Sequence, residues 1–197
     1  MRRERRKLEL HKRILEAAVE LFDAQGVSRT TVAQISERAD VAHKTFFNHF
    51  ATKQDLLREI ALQSTETFLA DILEMCEKPA STAARLARVF GMIVDNIEAA
   101  GPMHRELLTE LIYAHHEAGT EGEQQRAIHD TFELVVEKGR TGGDVSSAHS
   151  VESQANLVLG NFYVLMFNWA HVDGYPLRER AGEAAALLAD ALCTRQE

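Results

Sequence analysis

An all-α fold is predicted, on three observations. The chain of 197 residues holds only 3 Pro and 11 Gly, apolar residues recur at spacings of three and four along most of its length, and no run alternates apolar and polar residues as a strand would. With 45% hydrophobic and 26% charged residues it has the composition of a folded chain, long enough to bury a core as one large or two small domains. Periodicity and breakers together predict about nine to ten helices. They divide into an N-terminal three-helix unit over residues 1–55 and a larger helical domain over 56–197.

The first helix carries Leu10, Ile14, Ala17, Ala18, Leu21 and Phe22 on one face and stops at Gly26. Thr31, with Gln34 three residues on, has the form of a capping box and opens a short helix bearing Val32, Ile35 and Ala39. Asp40 breaks that helix, and a third is expected over about 42–49. Phe50-Ala-Thr52 leads into a long helix from Lys53 to about Lys78, whose expected buried stripe is Leu56, Leu57, Ile60, Ser64, Phe68, Ile72 and Met75. Pro79-Ala-Ser81 supplies a break and an N-cap, and Leu86, Val89, Phe90, Ile93, Val94 and Ile97 mark the next helix, which ends near Gly101-Pro102. Leu107, Leu108, Leu111, Ile112 and His115 mark a sixth. After a loop at Gly119 to Gly122, Ile128, Phe132, Val135 and Val136 mark a helix over about 123–138. Gly139 to Ser147 reads as the least structured segment of the chain. A helix over about 151–172 and a last one from Leu177 to Leu192 complete the order.

The formal net charge of −8 conceals a division. Residues 1–58 hold 12 Lys and Arg against 8 Asp and Glu, whereas residues 59–197 hold 10 against 22. A basic head suits a polyanionic partner, although a basic tail is also compatible with simple solvation. The longest apolar stretch, Leu157 to Ala170, falls short of the roughly 20 residues of a membrane span and contains Gly160, Asn161 and Asn168, so no membrane association is expected. Met1 to Lys7 has no apolar stretch behind it and is not read as a signal peptide, which leaves a cytoplasmic protein as the expectation. Cys76 and Cys193 lack metal or redox spacing and are read as reduced thiols.

Two short helices joined by a tight turn have the form of a helix-turn-helix, in which the second helix enters the major groove of DNA. Here Thr31 to Ala39, the turn Asp40-Val41-Ala42, and His43 to His49 fill those places. Ile35, Ala39, Val41, Phe46 and Phe50 would wedge against Leu21 and Phe22. His43, Lys44, Thr45 and Asn48 fall outside that wedge and are candidates for base or phosphate contact, together with Thr31, Phe47 and His49. Lys53, at the start of the next helix, is expected to add charge where backbone amides face an anion. From spacing alone, a helical hairpin with a solvated polar face fits as well.

The run Ile14-Leu15-x-Ala17-Ala18-x-x-Leu21-Phe22-x-x-x-Gly26-x-x-x-Thr30-Thr31-Val32-x-x-Ile35, followed by Ala39-x-Val41-Ala42-x-x-Thr45-Phe46-Phe47-x-His49-Phe50-x-x-Lys53-x-x-Leu56-Leu57, resembles the DNA-binding domain of the TetR family of bacterial repressors. The resemblance covers about the first quarter of the chain, without a gap. It implies a homodimer on a palindromic double-stranded DNA operator and a C-terminal helical domain that binds a small effector and dimerises. Two positions depart from the family pattern. Asp40 stands at a corner that is commonly Gly, and Phe47 stands where Tyr is common, so any phosphate contact made by that hydroxyl is absent here. The arm Arg2, Arg3, Arg5, Arg6 and Lys7 is expected either to follow the DNA backbone or minor groove or to remain a solvated tail.

In the larger domain, Leu157 to Ala170 is apolar nearly all round and so has to be covered on both sides. The resemblance implies that it pairs with the helix near 123–138 across a twofold axis. Phe68, Ile72, Phe90, Ile93, Leu111, Phe132, Phe162 and Met166 come from five helices and suit either plain core or the lining of the implied cavity. His115 and Trp169 are candidate handles for a largely apolar or amphipathic effector. No enzymatic activity and no cofactor are expected. His116-Glu117 begins a zinc-protease motif but Thr120 replaces its second His, and neither a GxSxG elbow nor a P-loop occurs. His104, His115, His116 and His129 are compatible with a metal sensor, since imidazoles on adjacent helices can converge, but they are read as unrelated and no metal site is expected. The alternative to a DNA-binding regulator is a helical enzyme or protein-binding module that merely retains the motif.

Overall fold

A computed structural model describes residues 2–99, 105–106 and 121–194. Among them the chain forms eight α-helices: α1 (Arg2–Gln25), α2 (Val32–Arg38), α3 (His43–Phe47), α4 (Lys53–Cys76), α5 (Thr82–Ala99), α6 (Glu121–Thr141), α7 (Val151–His171) and α8 (Leu177–Leu192). The all-α prediction holds, with somewhat fewer helices than the nine to ten expected. The helix expected over 107–115 lies outside the described residues. Gly122, placed in a loop by its sequence, falls inside α6.

The described residues form two compact units. The first holds α1, α2, α3 and α4 through Ser64, together with Arg105 and Glu106; the second runs from Thr65 to Ala99 and from Glu121 onward. The boundary expected after residue 55 is thus displaced along α4, because Leu56, Leu57, Ile60 and Ala61 are buried in the core of the first unit.

That first core is built from the faces the periodicity selected. Ile14, Ala18 and Phe22 of α1, Ile35 of α2, Phe46 of α3 and Leu56 of α4 are all fully buried. Burying each of the five large side chains among these stabilises by about 1.5–3 kcal/mol, which offsets much of the cost of ordering two helices too short to form alone. Thr31 caps α2 as expected: its Oγ1 accepts from the Gln34 amide at 3.2 Å, and Gln34 Oε1 accepts from the Thr31 amide at 2.8 Å. Helix α1 begins earlier than expected. The basic segment Arg2 to Lys7 is helical and exposed rather than an extended arm, supported by side-chain pairs one turn apart such as Arg5 with Glu9 at 3.2 Å.

In the second unit α5 packs most extensively on α8, and α6 on α7. The segment after α6, expected to be loose, is instead tied down. Asp144 accepts from the Thr82 amide at 2.6 Å and from the Thr82 hydroxyl at 2.8 Å, which caps the start of α5. The Ser146 amide donates to Leu192 O at 2.9 Å, the Thr194 amide donates to Asp144 O at 3.0 Å, and Val145 forms an isolated antiparallel bridge with Cys193. A Cβ at Gly139 would collide with the Thr82 hydroxyl and with Val145, so only glycine lets these pieces meet. None of the described helices is long and apolar enough to cross a membrane.

Candidate nucleic-acid interface

The turn between α2 and α3 is set by its corner. Asp40 adopts φ +49°, a left-handed conformation that costs an L-residue about 1–2 kcal/mol, with Asp among the residues that visit it most readily. Arg13 of α1 holds the corner in place. Its Nη2 donates to Ala39 O, to Asp40 O at 3.2 Å and to Asp40 Oδ2 at 3.2 Å. Arg13 is a residue that the motif does not single out. Two carbonyls and a carboxylate at one guanidinium make it the clamp of the turn, and the carboxylate is one that a glycine corner would lack.

Beyond the corner, buried Phe46 anchors α3 from below and leaves the other sides of the helix facing out. His43, Lys44, Phe47 and Asn48 are exposed, and Thr45 is half-buried. The His43 and Phe47 rings meet edge to face at 5.0 Å, so Phe47 lies against a polar neighbour with 46% of its surface open. Among the described residues Lys44 makes no ion pair, and its ammonium is available to an incoming acceptor. Helix α3 is shorter than expected, ending at Phe47, because Asn48, His49 and Phe50 turn on hydrogen bonds to Lys44, Thr45 and Phe46 carbonyls. Thr31 is exposed, but its hydroxyl is engaged in the capping box.

Two candidates have other partners. Lys53 Nζ donates to Val27 O at 2.7 Å and to Thr30 O at 2.9 Å, tying the loop before α2 to the start of α4. A cation at a helix N-terminus is repelled by the helix dipole, whereas two carbonyls across the gap attract it. His49 is half-buried, and its Nδ1 has no hydrogen-bond partner among the described residues. Its ring lies 5.5 Å from that of His11, which stacks on Phe50 at 4.7 Å and bonds Glu59 through Nε2 at 2.6 Å. Burial, and then the charges of His11 and Lys7, push the His49 pKa below its ordinary value. The sensitivity of His49 to Lys7 brings the basic first turns of α1 near the end of α3.

In the second unit, three of the candidate lining residues come together. Phe162 stacks on Phe68 at 6.0 Å and tilts against Phe132 at 5.7 Å. Ile72, Phe90, Ile93 and Met166 are buried and Trp169 is half-buried, while Leu111 and His115 lie outside the described residues. Phe90 also borders a separate groove of about 270 Å³ between α5 and α8, lined mostly by Ala and Gly.

A helix-turn-helix whose second helix is anchored by its core and polar on its open face defines a DNA-binding domain. The comparisons agree. Residues 14–60 match the family model described as "Bacterial regulatory proteins, tetR family". TcmR of Streptomyces glaucescens, an HTH-type transcriptional regulator, is 40% identical over 68 residues, which are 34% of this chain and 30% of TcmR. The match to the first curated relatives covers about a third of their length. Among solved structures, FadR of Bacillus subtilis in complex with stearoyl-CoA superposes with a TM-score of 0.70 at 19% identity, over 90% of this chain and 97% of FadR. FadR of Thermus thermophilus in complex with lauroyl-CoA gives 0.68 at 20% identity, over 95% and 97%. Residues 14–60 thus carry a DNA-binding domain like that of the TetR family of bacterial regulatory proteins, and the fold of the chain is one it shares with the two solved FadR structures.

Proposed function

We propose that the protein is a transcriptional repressor that binds a palindromic operator as a homodimer and is released by a largely apolar or amphipathic small molecule. The observation that carries this reading is α3. Buried Phe46 and the Arg13 clamp fix the helix, while Lys44 and Asn48 stand open on it and His43, exposed beside them, rests its ring against Phe47. Lys44 and Asn48 can pair with base edges, and Thr45 and the basic first turns of α1 suit phosphates.

Dimerisation is read from the second unit. Leu157, Val164 and Phe167 of α7 are exposed at 45%, 60% and 52%, on one face with Gly160, and Leu187 of α8 is exposed at 64%. Residues spaced by three, four and three share a stripe, and an apolar stripe of this length calls for a cover. Among the described residues no large exposed apolar side chain lies on α6. The pairing surface is therefore α7 with α8, in place of the α7 pairing with the 123–138 helix that the sequence suggested. A twofold dimer suits a palindromic operator, whose half-sites lie about 34–36 Å apart.

For the effector, the support is the aromatic cluster Phe68, Phe132 and Phe162 together with the acyl-CoA esters held by two structural neighbours. An acyl-CoA is the first candidate of this class. Helix α4 carries Leu56 and Leu57 in the first core and Phe68 in that cluster, so a ligand favouring one disposition of α4 shifts operator affinity by at most its differential affinity for the two states.

A footprint on the DNA flanking the protein's own gene tests the reading. Two protected half-sites one helical turn apart, occupied by two chains and vacated on adding stearoyl-CoA or lauroyl-CoA, are expected. Uniform, sequence-indifferent protection would refute it.

A further inference from the structure

The outer face of α6 gathers three side chains that the DNA-binding and effector readings leave unused. His129, Asp130 and Glu133 bring a ring nitrogen and two carboxylate oxygens within 4.8 Å of one another. His129 and Glu133 are one turn apart and so share a face, and Asp130 stands beside them at the adjoining edge. We propose that this cluster is a binding site for a divalent transition-metal cation of the zinc, cobalt or nickel kind.

The orientation of the imidazole carries the argument. His129 Nε2 lies 3.1 Å from Oδ1 of Asn156 on the neighbouring helix α7. An amide oxygen only accepts, so the ring proton belongs on Nε2 and the lone pair on Nδ1. Nδ1 in turn faces Glu133 Oε1 at 3.7 Å, beyond hydrogen-bond range. A lone pair and two carboxylates thus converge on one point. Two carboxylates beside a ring nitrogen are a donor set that suits a divalent cation. A metal-bound histidine commonly donates its other nitrogen to an oxygen that fixes ring and tautomer, and Asn156 has that place here.

Distances allow closure. Bonds of about 2.1 Å to zinc in a tetrahedral site separate the ligand atoms by about 3.4 Å. The present spread needs to contract by up to about 1.4 Å, within reach of rotations of the Asp130 and Glu133 side chains, which are exposed and half-buried respectively. One nitrogen and two carboxylates select a transition metal over calcium or magnesium, which prefer all-oxygen shells. His129 and Glu133 keep only 31% and 30% of their side-chain surface, so their attraction for a cation is less screened than that of a fully exposed pair. The bound ion would staple one turn of α6 and, through Asn156, set its register against α7.

The competing account is an ordinary ion pair between a protonated His129 and Glu133, worth about 0–1 kcal/mol at such exposure. Metal uptake separates the two. The full-length protein is stripped with a chelator and titrated with Co²⁺ alone, followed by visible absorption and calorimetry, and the Co²⁺ is then displaced with Zn²⁺. One saturable site per chain is expected. His129→Ala should abolish it, and Asp130→Asn, at an exposed position that leaves packing untouched, should weaken it at least tenfold. Asn156→Ala should weaken it by about 10–100-fold while preserving the cobalt spectrum, because it removes an orienting group and not a ligand. Absence of saturable uptake by the folded wild type, or uptake that survives His129→Ala and Asp130→Asn unchanged, would overturn the proposal.

Discussion

Replacing Lys53 by Met keeps the aliphatic stem and removes the ammonium. In the structure that ammonium donates to Val27 O at 2.7 Å and Thr30 O at 2.9 Å. A hydrogen bond to a charged group contributes about 1.5–3 kcal/mol when well buried. Lys53 is only half-buried, which screens both bonds, and water can reach part of what is left behind. A net loss of about 1–3 kcal/mol follows, read as a lower urea midpoint at fixed protein concentration, since the stability of the proposed dimer would depend on concentration. The same variant separates a structural role from a DNA-binding one. Each phosphate neutralised by a lysine adds about 0.9 to the slope of log K against log salt. A brace predicts lower stability with an unchanged slope. A stability equal to wild type, with the slope shallower by about one unit, would refute the assignment of Lys53 to the turn.

Three further outcomes are expected. Deleting Arg2 to Lys7 removes the exposed basic turns of α1 and should weaken operator binding and flatten the salt dependence, by about 0.9 for each phosphate no longer neutralised; an unaltered slope would show that these turns do not meet DNA. The His49 pKa is lowered from its ordinary value of 6.5 in the folded state, chiefly by burial and then by the charges of His11 and Lys7. The unfolded chain therefore takes up a proton first as pH falls through about 6.5, and stability should drop from there downward and stay level above it; His49→Gln should reduce the drop in urea midpoint between about pH 7.5 and about pH 5.5. Val164→Glu places a carboxylate on the stripe assigned to dimerisation, and light scattering should report a folded monomer; a dimer of undiminished affinity would move the interface elsewhere.

Much of the fold was legible because a helix writes its buried face at a period its own sequence shows. Ile14, Phe22, Ile35 and Phe46 were identifiable as core from spacing, and Thr31 with Gln34 as a cap from residue type. What spacing does not encode is an interaction between distant segments. Asp144 capping Thr82 spans 62 positions, so the segment after α6 read as loose until its partner was in view. Arg13 reaches Ala39 and Asp40 in the same way, with no local signature. Lys53 shows a different limit: a cation at a helix start fits an anion or a pair of carbonyls equally well by residue type, and only the fold brings Val27 and Thr30 to it. The apolar character of Leu157 to Ala170 announced a covered helix, but which helix flanks the open stripe depends on packing, and the exposed Leu187 is why we propose α8.

The central claim is that α3 reads DNA through side chains the fold leaves free. A mobility shift with DNA flanking the protein's own gene, at fixed salt and against unrelated competitor DNA, tests it most directly. Wild-type protein should bind in preference to competitor, Lys44→Ala should lose about 1–3 kcal/mol, or roughly 5–150-fold, and Thr45→Ala should weaken binding without unfolding the chain. Equal affinity of wild type and Lys44→Ala, or no preference over competitor, would contradict it.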